Sequence, residues 1–150
     1  MASSECRVSG PWSPDEASGF LQKSGVPIRL AVNGSTGFPI VMPLWYLWAD
    51  ASFWMAMKPG AGLIRLLRQD GRCGFDVSLE TPPYKGVRGR GRAVVLDDGV
   101  PVLRQLLERY LGESSPEFQK WLLARSEDEC AVRITPETMV SWDFSRRMGH

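Results

Sequence analysis

The sequence holds few of the side chains that most enzymes use for catalysis. Its only histidine is His150, so Ser–His or Cys–His nucleophilic catalysis and histidine acid–base chemistry are not expected. There is no GxSxG or HExxH motif, and no group of His and Cys residues has the spacing of metal ligands. If the protein is an enzyme, we therefore expect a bound cofactor to carry the reaction while the protein holds and tunes it.

Two stretches could hold an anionic cofactor, and the first is KPGAG at residues 58–62. It ends a predicted strand and begins a predicted helix, where backbone N–H groups and a nearby ammonium group make a natural phosphate site. It matches neither a Walker motif nor GxGxxG. A plain glycine turn with a solvated lysine explains the same residues, so both interpretations stay open.

The second stretch is YKGVRGRGR at residues 84–92, which is predicted to belong to a long strand. In a strand Arg88, Arg90 and Arg92 share one face, and the opposite face is small and apolar, as a barrel interior requires. The arginine face could meet a phosphate, carboxylates of a partner subunit, or water. A nucleic-acid partner is not predicted, because the net charge is only +1 and nucleic-acid binding usually needs a clear basic excess.

An aromatic-rich stretch, FPIVMPLWYLW at residues 38–48, precedes both of these sites. It does not alternate between apolar and polar residues as a half-buried strand does, so both of its faces need cover. One face can line a barrel core, and the other needs a helix of the same chain, a second subunit or a flat ligand. Because each buried aromatic ring removes roughly 150–250 Å² from water, we favour a homodimer interface. Pro43 cannot donate to a ladder and is expected at an edge or bulge.

Hydrophobic periodicity and turn signals predict six strands and four short helices around these sites. The strands are expected at residues 28–32, 38–48, 52–58, 72–79, 84–96 and 130–134 (extended over 139–144), and the helices at 13–23, 62–70, 100–111 and 115–125. Most strands are neighbours in sequence that hairpins can join. This order predicts an antiparallel barrel decorated by helices, in the mainly β or α+β class.

Composition fits one ordinary globular domain: 150 residues, of which 43% are hydrophobic and 23% charged. We expect a flexible N-terminal arm over residues 1–11 and a single domain over residues 12–150. No membrane association is predicted, because the longest uncharged apolar run, residues 38–49, falls short of the roughly 20 residues of a spanning helix. The N-terminal sequence is not of the secretion-signal type, and three cysteines without a CxxC pair make the cytoplasm the expected location.

Four segments, in this order and spacing, carry a family resemblance. They are GFPIVMPLWY at 37–46, LRQDGRC at 67–73, PPY at 82–84 leading into VRGRGRA at 87–93, and ITP at 134–136 before WDF at 142–144. Over residues 27–144 the chain resembles the FMN-binding split-barrel proteins related to pyridoxamine 5′-phosphate oxidase. It is most similar to their small branch of flavin- and deazaflavin-dependent oxidoreductases.

This resemblance implies a six-stranded antiparallel split barrel with short peripheral helices, and a homodimer with two flavin sites at the subunit interface. The implied residues around FMN or a deazaflavin are Val41, Met42, Pro43, Leu44, Ala56, Met57, Lys58, Gly60, Ala61, Gly62, Arg65, Arg88, Arg90 and Trp142. Arg88 or Arg90 and Trp142 are expected from the other subunit. The family's tight flavin-phosphate binders usually carry a hydroxyl residue and a cation where this chain has AGL at 61–63, so Lys58 and Arg65 are the expected substitutes.

The leading functional hypothesis is a flavin-type oxidoreductase that passes hydride from FMN or a reduced deazaflavin to a small organic acceptor. The sequence offers no obvious acid or base, so the proton is expected from water or Tyr46. The alternative is a non-catalytic split barrel that binds a flavin, haem or another flat ligand, or one that has lost its ligand. Oxidation of pyridoxamine phosphate itself is less favoured, because the chain is short and lacks a clear set of residues for the substrate phosphate.

Overall fold

The computed structural model describes residues 5–149, which form eight strands and four helices. The strands are β1 (Arg7–Ser9), β2 (Ile28–Asn33), β3 (Pro39–Leu44), β4 (Leu47–Ala49), β5 (Ser52–Met57), β6 (Arg72–Ser78), β7 (Lys85–Leu96) and β8 (Cys130–Asp143). The helices are α1 (Pro14–Lys23), α2 (Gly62–Gln69), α3 (Val100–Tyr110) and α4 (Pro116–Leu123). Of these four helices, none is long and apolar enough to span a membrane.

The strands form one sheet in the order β3-β2-β6-β7-β8-β5-β4, with every pair along this path antiparallel. The two end strands, β3 and β4, are joined by only Trp45 and Tyr46. Because three residue steps span at most about 11 Å, the sheet must curl until its two ends nearly meet. This confirms the predicted antiparallel split barrel with peripheral helices, and it leaves a seam between β3 and the β4–β5 hairpin.

The number of strands was predicted wrongly, as six instead of eight. The single strand expected at residues 38–48 is interrupted, because the backbone of Tyr46 bonds a side chain and not a neighbouring strand. The Tyr46 N–H donates to the hydroxyl oxygen of Tyr110 at 3.2 Å. The Tyr110 hydroxyl in turn donates to the Tyr46 carbonyl oxygen at 3.3 Å. Pro43 lies on β3, an edge strand, as expected for a residue that cannot donate.

The eighth strand comes from the segment expected to be a flexible arm. Residues 7–9 form β1, which pairs in parallel with β8 so that Val8 lies opposite Met139. The prediction of a loose arm is therefore corrected for β1, where a ladder satisfies backbone groups that a loose arm would leave to water. The first four residues of the expected arm lie outside the described residues.

Aromatic rings fill the barrel interior beneath the seam. Phe53 on β5 packs edge-on against Tyr46, Trp48 and Phe75, with ring centroids 4.7–5.4 Å apart. The Tyr46 side chain is fully buried, and its hydroxyl donates to the Leu21 carbonyl oxygen at the end of α1. The aromatic stretch thus finds its inner cover within the chain itself.

Arg109 on α3 fastens α1 to the barrel. Its guanidinium donates to the carbonyl oxygens of Gln22 (2.6 Å), Leu21 (3.2 Å) and Ser24, all at the C-terminal end of α1. The same group lies 5.0 Å from the Tyr46 ring centre. One cation therefore satisfies carbonyls that the end of a helix leaves without an intrahelical partner.

Close packing on β7 explains the glycines between its arginines. A Cβ atom on Gly89 would lie 2.1 Å from the Thr138 carbonyl oxygen and 2.7 Å from Cζ of Phe75. No side chain fits there without moving the backbone of β8. The prediction that the face opposite the arginines is small and inward is consistent with this contact.

Candidate functional site

A groove of about 430 Å³ opens at the seam of the barrel, and we call it the barrel groove. It is lined by Pro43, Leu44, Trp45, Met55, Ala56, Met57, Lys58, Leu103, Leu106, Leu122 and Glu129. Its walls are the end of β3, the second half of β5, and leucine side chains of α3 and α4. Five of the sequence-predicted site residues meet here: Pro43, Leu44, Ala56, Met57 and Lys58.

Trp45 gives the barrel groove a rigid aromatic wall. Its ring stacks on Tyr110 of α3, with ring centres 5.1 Å apart and planes 5° from parallel. The stacking and the Tyr110 hydroxyl bonds to Tyr46 hold this corner in one position. Concave, mainly apolar sites of this size are typical of small-molecule binding.

A second cavity, of about 450 Å³, lies at the start of α2, and we call it the helix pocket. It is lined by Pro59, Gly60, Ala61, Gly62, Ile64, Arg65, Arg68 and Gln69. Four further predicted site residues meet here: Gly60, Ala61, Gly62 and Arg65. Arg68 was missed, although its spacing of three from Arg65 places both on one face of a helix.

The helix pocket has the features of an anion site. Ala61 is the N-cap of α2 and its side chain offers no acceptor, so no side chain caps the N–H groups of the first turn. The first turn of α2 contains no acidic residue. Arg65 and Arg68 are both exposed, and neither belongs to an ion pair among residues 5–149. Two exposed guanidinium groups therefore line the pocket, with Arg65 in the middle of α2 and Arg68 in its last turn.

The two cavities are lined by neighbouring residues of the chain, because Lys58 lines the barrel groove and Pro59 lines the helix pocket. The turn between β5 and α2 therefore contributes to both cavities.

Lys58 is not the free ammonium that the sequence predicts. Its Nζ lies 2.7 Å from Oδ1 of Asp128 and 3.8 Å from Oε1 of Glu129. The Asp128 hydrogen bond raises the pKa of Lys58, and the Lys58 hydrogen bond lowers the pKa of Asp128. Asp128 lies 70 residues away in sequence, and nothing local to Lys58 indicates this pairing.

Tyr46 is wrong as a proton source. Its side chain is fully buried, and its hydroxyl proton is donated to the Leu21 carbonyl oxygen at 2.7 Å. Burial raises the pKa of Tyr46 to about 12, which holds the hydroxyl in its neutral form. Tyr46 is therefore part of the core and has no access to the barrel groove.

The remaining predicted residues lie elsewhere in the single chain. Arg88 and Arg90 are exposed on β7 as predicted, and the Arg88 guanidinium lies 5.9 Å from the Trp142 ring centre. Val41 is 65% exposed on the edge strand β3, whereas Met42 is partly buried and packs against the core. None of these five residues lines the barrel groove.

Metal binding finds no support in the described part of the chain. Among residues 5–149, no three or more His, Cys, Asp and Glu side chains are grouped so that they could hold a metal ion.

No protein-family model and no curated protein sequence matches the chain. Solved structures do match it. A conserved hypothetical protein from Mycobacterium tuberculosis is 26% identical, covers 97% of this chain and 93% of its own, and superposes with a TM-score of 0.76. An FAD-binding protein from Mesorhizobium loti is 26% identical over 87% of this chain and 93% of its own, with a TM-score of 0.63. An F420 reductase is 18% identical over 85% of this chain and 98% of its own, with a TM-score of 0.68. These matches confirm the resemblance carried by the sequence motifs: the chain has the fold of the split-barrel proteins related to pyridoxamine 5′-phosphate oxidase.

Proposed function

We propose that the protein binds a flavin-type cofactor, FMN or a deazaflavin, and acts as an oxidoreductase on a small organic acceptor. The observation that carries the proposal is that neighbouring residues of the chain, Lys58 and Pro59, line an apolar groove and a cationic pocket. A flavin has the matching shape, a flat apolar ring joined through a polar chain to a phosphate. When bound, the cofactor supplies hydride transfer, chemistry for which the side chains of this protein have no substitute.

The barrel groove would hold the ring. Pro43 and Leu44 of β3, Ala56 and Met57 of β5, and Trp45 line it. The volume of about 430 Å³ lies within the range of small-molecule sites. These walls carry few polar groups, so they would exclude water from the ring face that they cover.

The helix pocket would hold the phosphate. The uncapped N–H groups at the start of α2 are donors for its oxygens, and Arg65 and Arg68 supply positive charge. Lys58 contributes less than the sequence predicts, because Asp128 already neutralises it.

A homodimer is part of the proposal. Phe38, Ile40 and Val41, in and beside edge strand β3, are 76%, 41% and 65% exposed, which leaves an apolar edge beside the barrel groove without cover. A second copy would cover this edge and could bring Arg88, Arg90 and Trp142 to the site. Light scattering should then give twice the chain mass of 16.7 kDa, and a particle of 16.7 kDa would refute this part of the proposal.

A location in the cytoplasm is also proposed. Cys6, Cys73 and Cys130 are all free thiols in the structure. Free thiols persist in a reducing compartment.

The second candidate function is non-catalytic binding of a flat ligand such as a flavin or haem. The neutralised Lys58 and the missing hydroxyl at residues 61–63 favour it, because both weaken the hold on a phosphate. The colour of the purified protein and its turnover with reduced flavin distinguish the two: binding without turnover supports the second candidate.

The test of the proposed function compares FMN with riboflavin, which lacks the phosphate. Replacing Arg65 and Arg68 together by alanine should weaken FMN binding about tenfold, since two partly solvated charge-assisted contacts are lost. Riboflavin binding should change less than about twofold. Arg104→Ala, on the exposed side of α3, removes a like charge outside both cavities and is the matched control. Unchanged FMN affinity in the double variant would show that the phosphate does not bind at α2.

A further inference from the structure

Glu129 is a buried carboxyl group that makes no hydrogen bond through Oε1, although Lys58 lies 3.8 Å from that oxygen. It directly precedes β8 and lines the barrel groove, yet its side chain is only 5% exposed. Its Oε1 is fully buried and has no hydrogen-bond partner among the described residues. A buried carboxyl without a partner is costly, so a residue of this type at this place calls for a ligand or a structural role.

The structural role is already filled by the backbone of Glu129. Its carbonyl oxygen accepts from the Gly99 N–H at 2.7 Å, and its N–H donates to the Ser126 carbonyl oxygen at 2.9 Å. These two bonds fix the turn before β8 whatever the side chain is. The carboxyl group itself is not needed for the fold.

Lys58 does not satisfy Glu129 either. Its Nζ lies 3.8 Å from Oε1 of Glu129, too far for a hydrogen bond, while it bonds Asp128 at 2.7 Å. The other side chains around Glu129 in the groove, such as Leu103, Leu106 and Leu122, are aliphatic. The Oε1 atom of Glu129 therefore has unused acceptor capacity at the edge of the groove.

The position of Glu129 along the groove indicates which part of the ligand it would meet. It is close to Lys58, the groove residue that directly precedes Pro59 of the helix pocket. A ligand with its ring in the groove and its phosphate at α2 passes this point with its linking chain. In FMN that chain is a polyol, whose hydroxyl groups are hydrogen-bond donors.

We propose that Glu129 accepts a hydrogen bond from a hydroxyl group of the polyol chain and so selects ligands that carry a sugar-like linker. The inference rests on the proposed function, because it assumes a flavin in the barrel groove.

The experiment compares riboflavin with lumiflavin, which has the same ring without the polyol chain, by quenching of flavin fluorescence. Wild-type protein should bind riboflavin at least about tenfold more tightly than it binds lumiflavin, as expected for a hydrogen bond to a charged acceptor. Glu129→Leu should abolish most of this preference by weakening riboflavin and leaving lumiflavin unchanged. Glu129→Gln should retain part of it, because the amide oxygen still accepts.

The matched control is Glu127→Gln, which removes one negative charge from an exposed side chain two residues away and should keep the full preference. A wild type that binds both flavins equally overturns the Glu129 inference, even if the Leu variant does not fold. So does a Leu variant that keeps the preference. Failure of the wild type to bind either flavin is a different result, and it refutes the proposed function itself.

Discussion

Replacing Tyr46 by phenylalanine should destabilise the protein and leave flavin binding intact. The Tyr46 hydroxyl makes one buried hydrogen bond, of 2.7 Å, to the Leu21 carbonyl oxygen. That oxygen keeps a second donor in Arg109, at 3.2 Å, so the loss is one bond and not an orphaned acceptor. We expect the free energy of unfolding to fall by about 1 kcal/mol, or roughly 2–4 °C in melting temperature for a chain of this length.

The same variant should change the pH dependence of stability. Burial raises the pKa of Tyr46 to about 12 from its ordinary value of 10, so the folded state holds the hydroxyl proton more tightly than the unfolded state does. This contribution is complete below pH 10 and is lost as the pH rises through 12. Between pH 10 and pH 12, the free energy of unfolding of the wild type should therefore fall by up to about 3 kcal/mol relative to that of Tyr46→Phe.

Urea denaturation at several pH values and an FMN titration measure both effects. Tyr84→Phe is the control, because Tyr84 is 42% exposed and its hydroxyl has no hydrogen bond in the part of the chain that the structure describes. It should change stability by less than about 0.5 kcal/mol. A Tyr46→Phe protein of unchanged stability that no longer binds FMN or turns it over would refute the assignment of Tyr46 to the core.

Three further predictions concern the scaffold. Arg109→Ala should lower the free energy of unfolding by about 2–4 kcal/mol in urea, since three carbonyl oxygens at the end of α1 lose a donor; an effect no larger than that of Arg104→Ala would contradict this. Gly89→Ala should lower the free energy of unfolding by about 3 kcal/mol in thermal unfolding, because its Cβ would lie 2.1 Å from a backbone oxygen. Gly25→Ala is the control: a Cβ at Gly25 has nothing within 4 Å, so it should lower the free energy of unfolding by less than about 1 kcal/mol. Burial raises the pKa of Cys73 to about 11, so the Cys73 thiol of the native protein should resist alkylation at about pH 8. Mass spectrometry measures the labelling, and rapid labelling of the folded protein would contradict the prediction.

Local sequence signals predicted the parts of the fold that local interactions determine. The Ser13 and Glu16 side chains form the capping box expected at the start of α1, with bonds of 3.1 and 3.2 Å. The edge position of Pro43 follows from its missing N–H, a property of the residue itself. Such features are readable in one dimension because each residue's nearest partners are its neighbours in sequence.

Features that depend on distant partners could not be predicted in this way. The strand break at Tyr46 exists because the Tyr110 hydroxyl, 64 residues away, bonds its backbone. The neutralisation of Lys58 by Asp128 and the burial of Glu129 against α3 and α4 depend equally on tertiary packing. For the site, the sequence therefore identified residues of β3, β5 and α2, but not the helices that close the groove.

The most direct test of the account fills the barrel groove. Ala56 is a small, partly exposed residue on β5 that lines it, so Ala56→Trp should place an indole in the space assigned to the flavin ring. We predict that the fluorescence of FMN is quenched when it binds to the wild type. Ala56→Trp should bind FMN at least about tenfold more weakly, while its melting temperature stays within about 4 °C of the wild-type value. Gln105→Trp, on the exposed side of α3, should bind FMN as the wild type does. An Ala56→Trp protein that binds FMN as tightly as the wild type, or a wild type that does not bind it at all, would contradict the account.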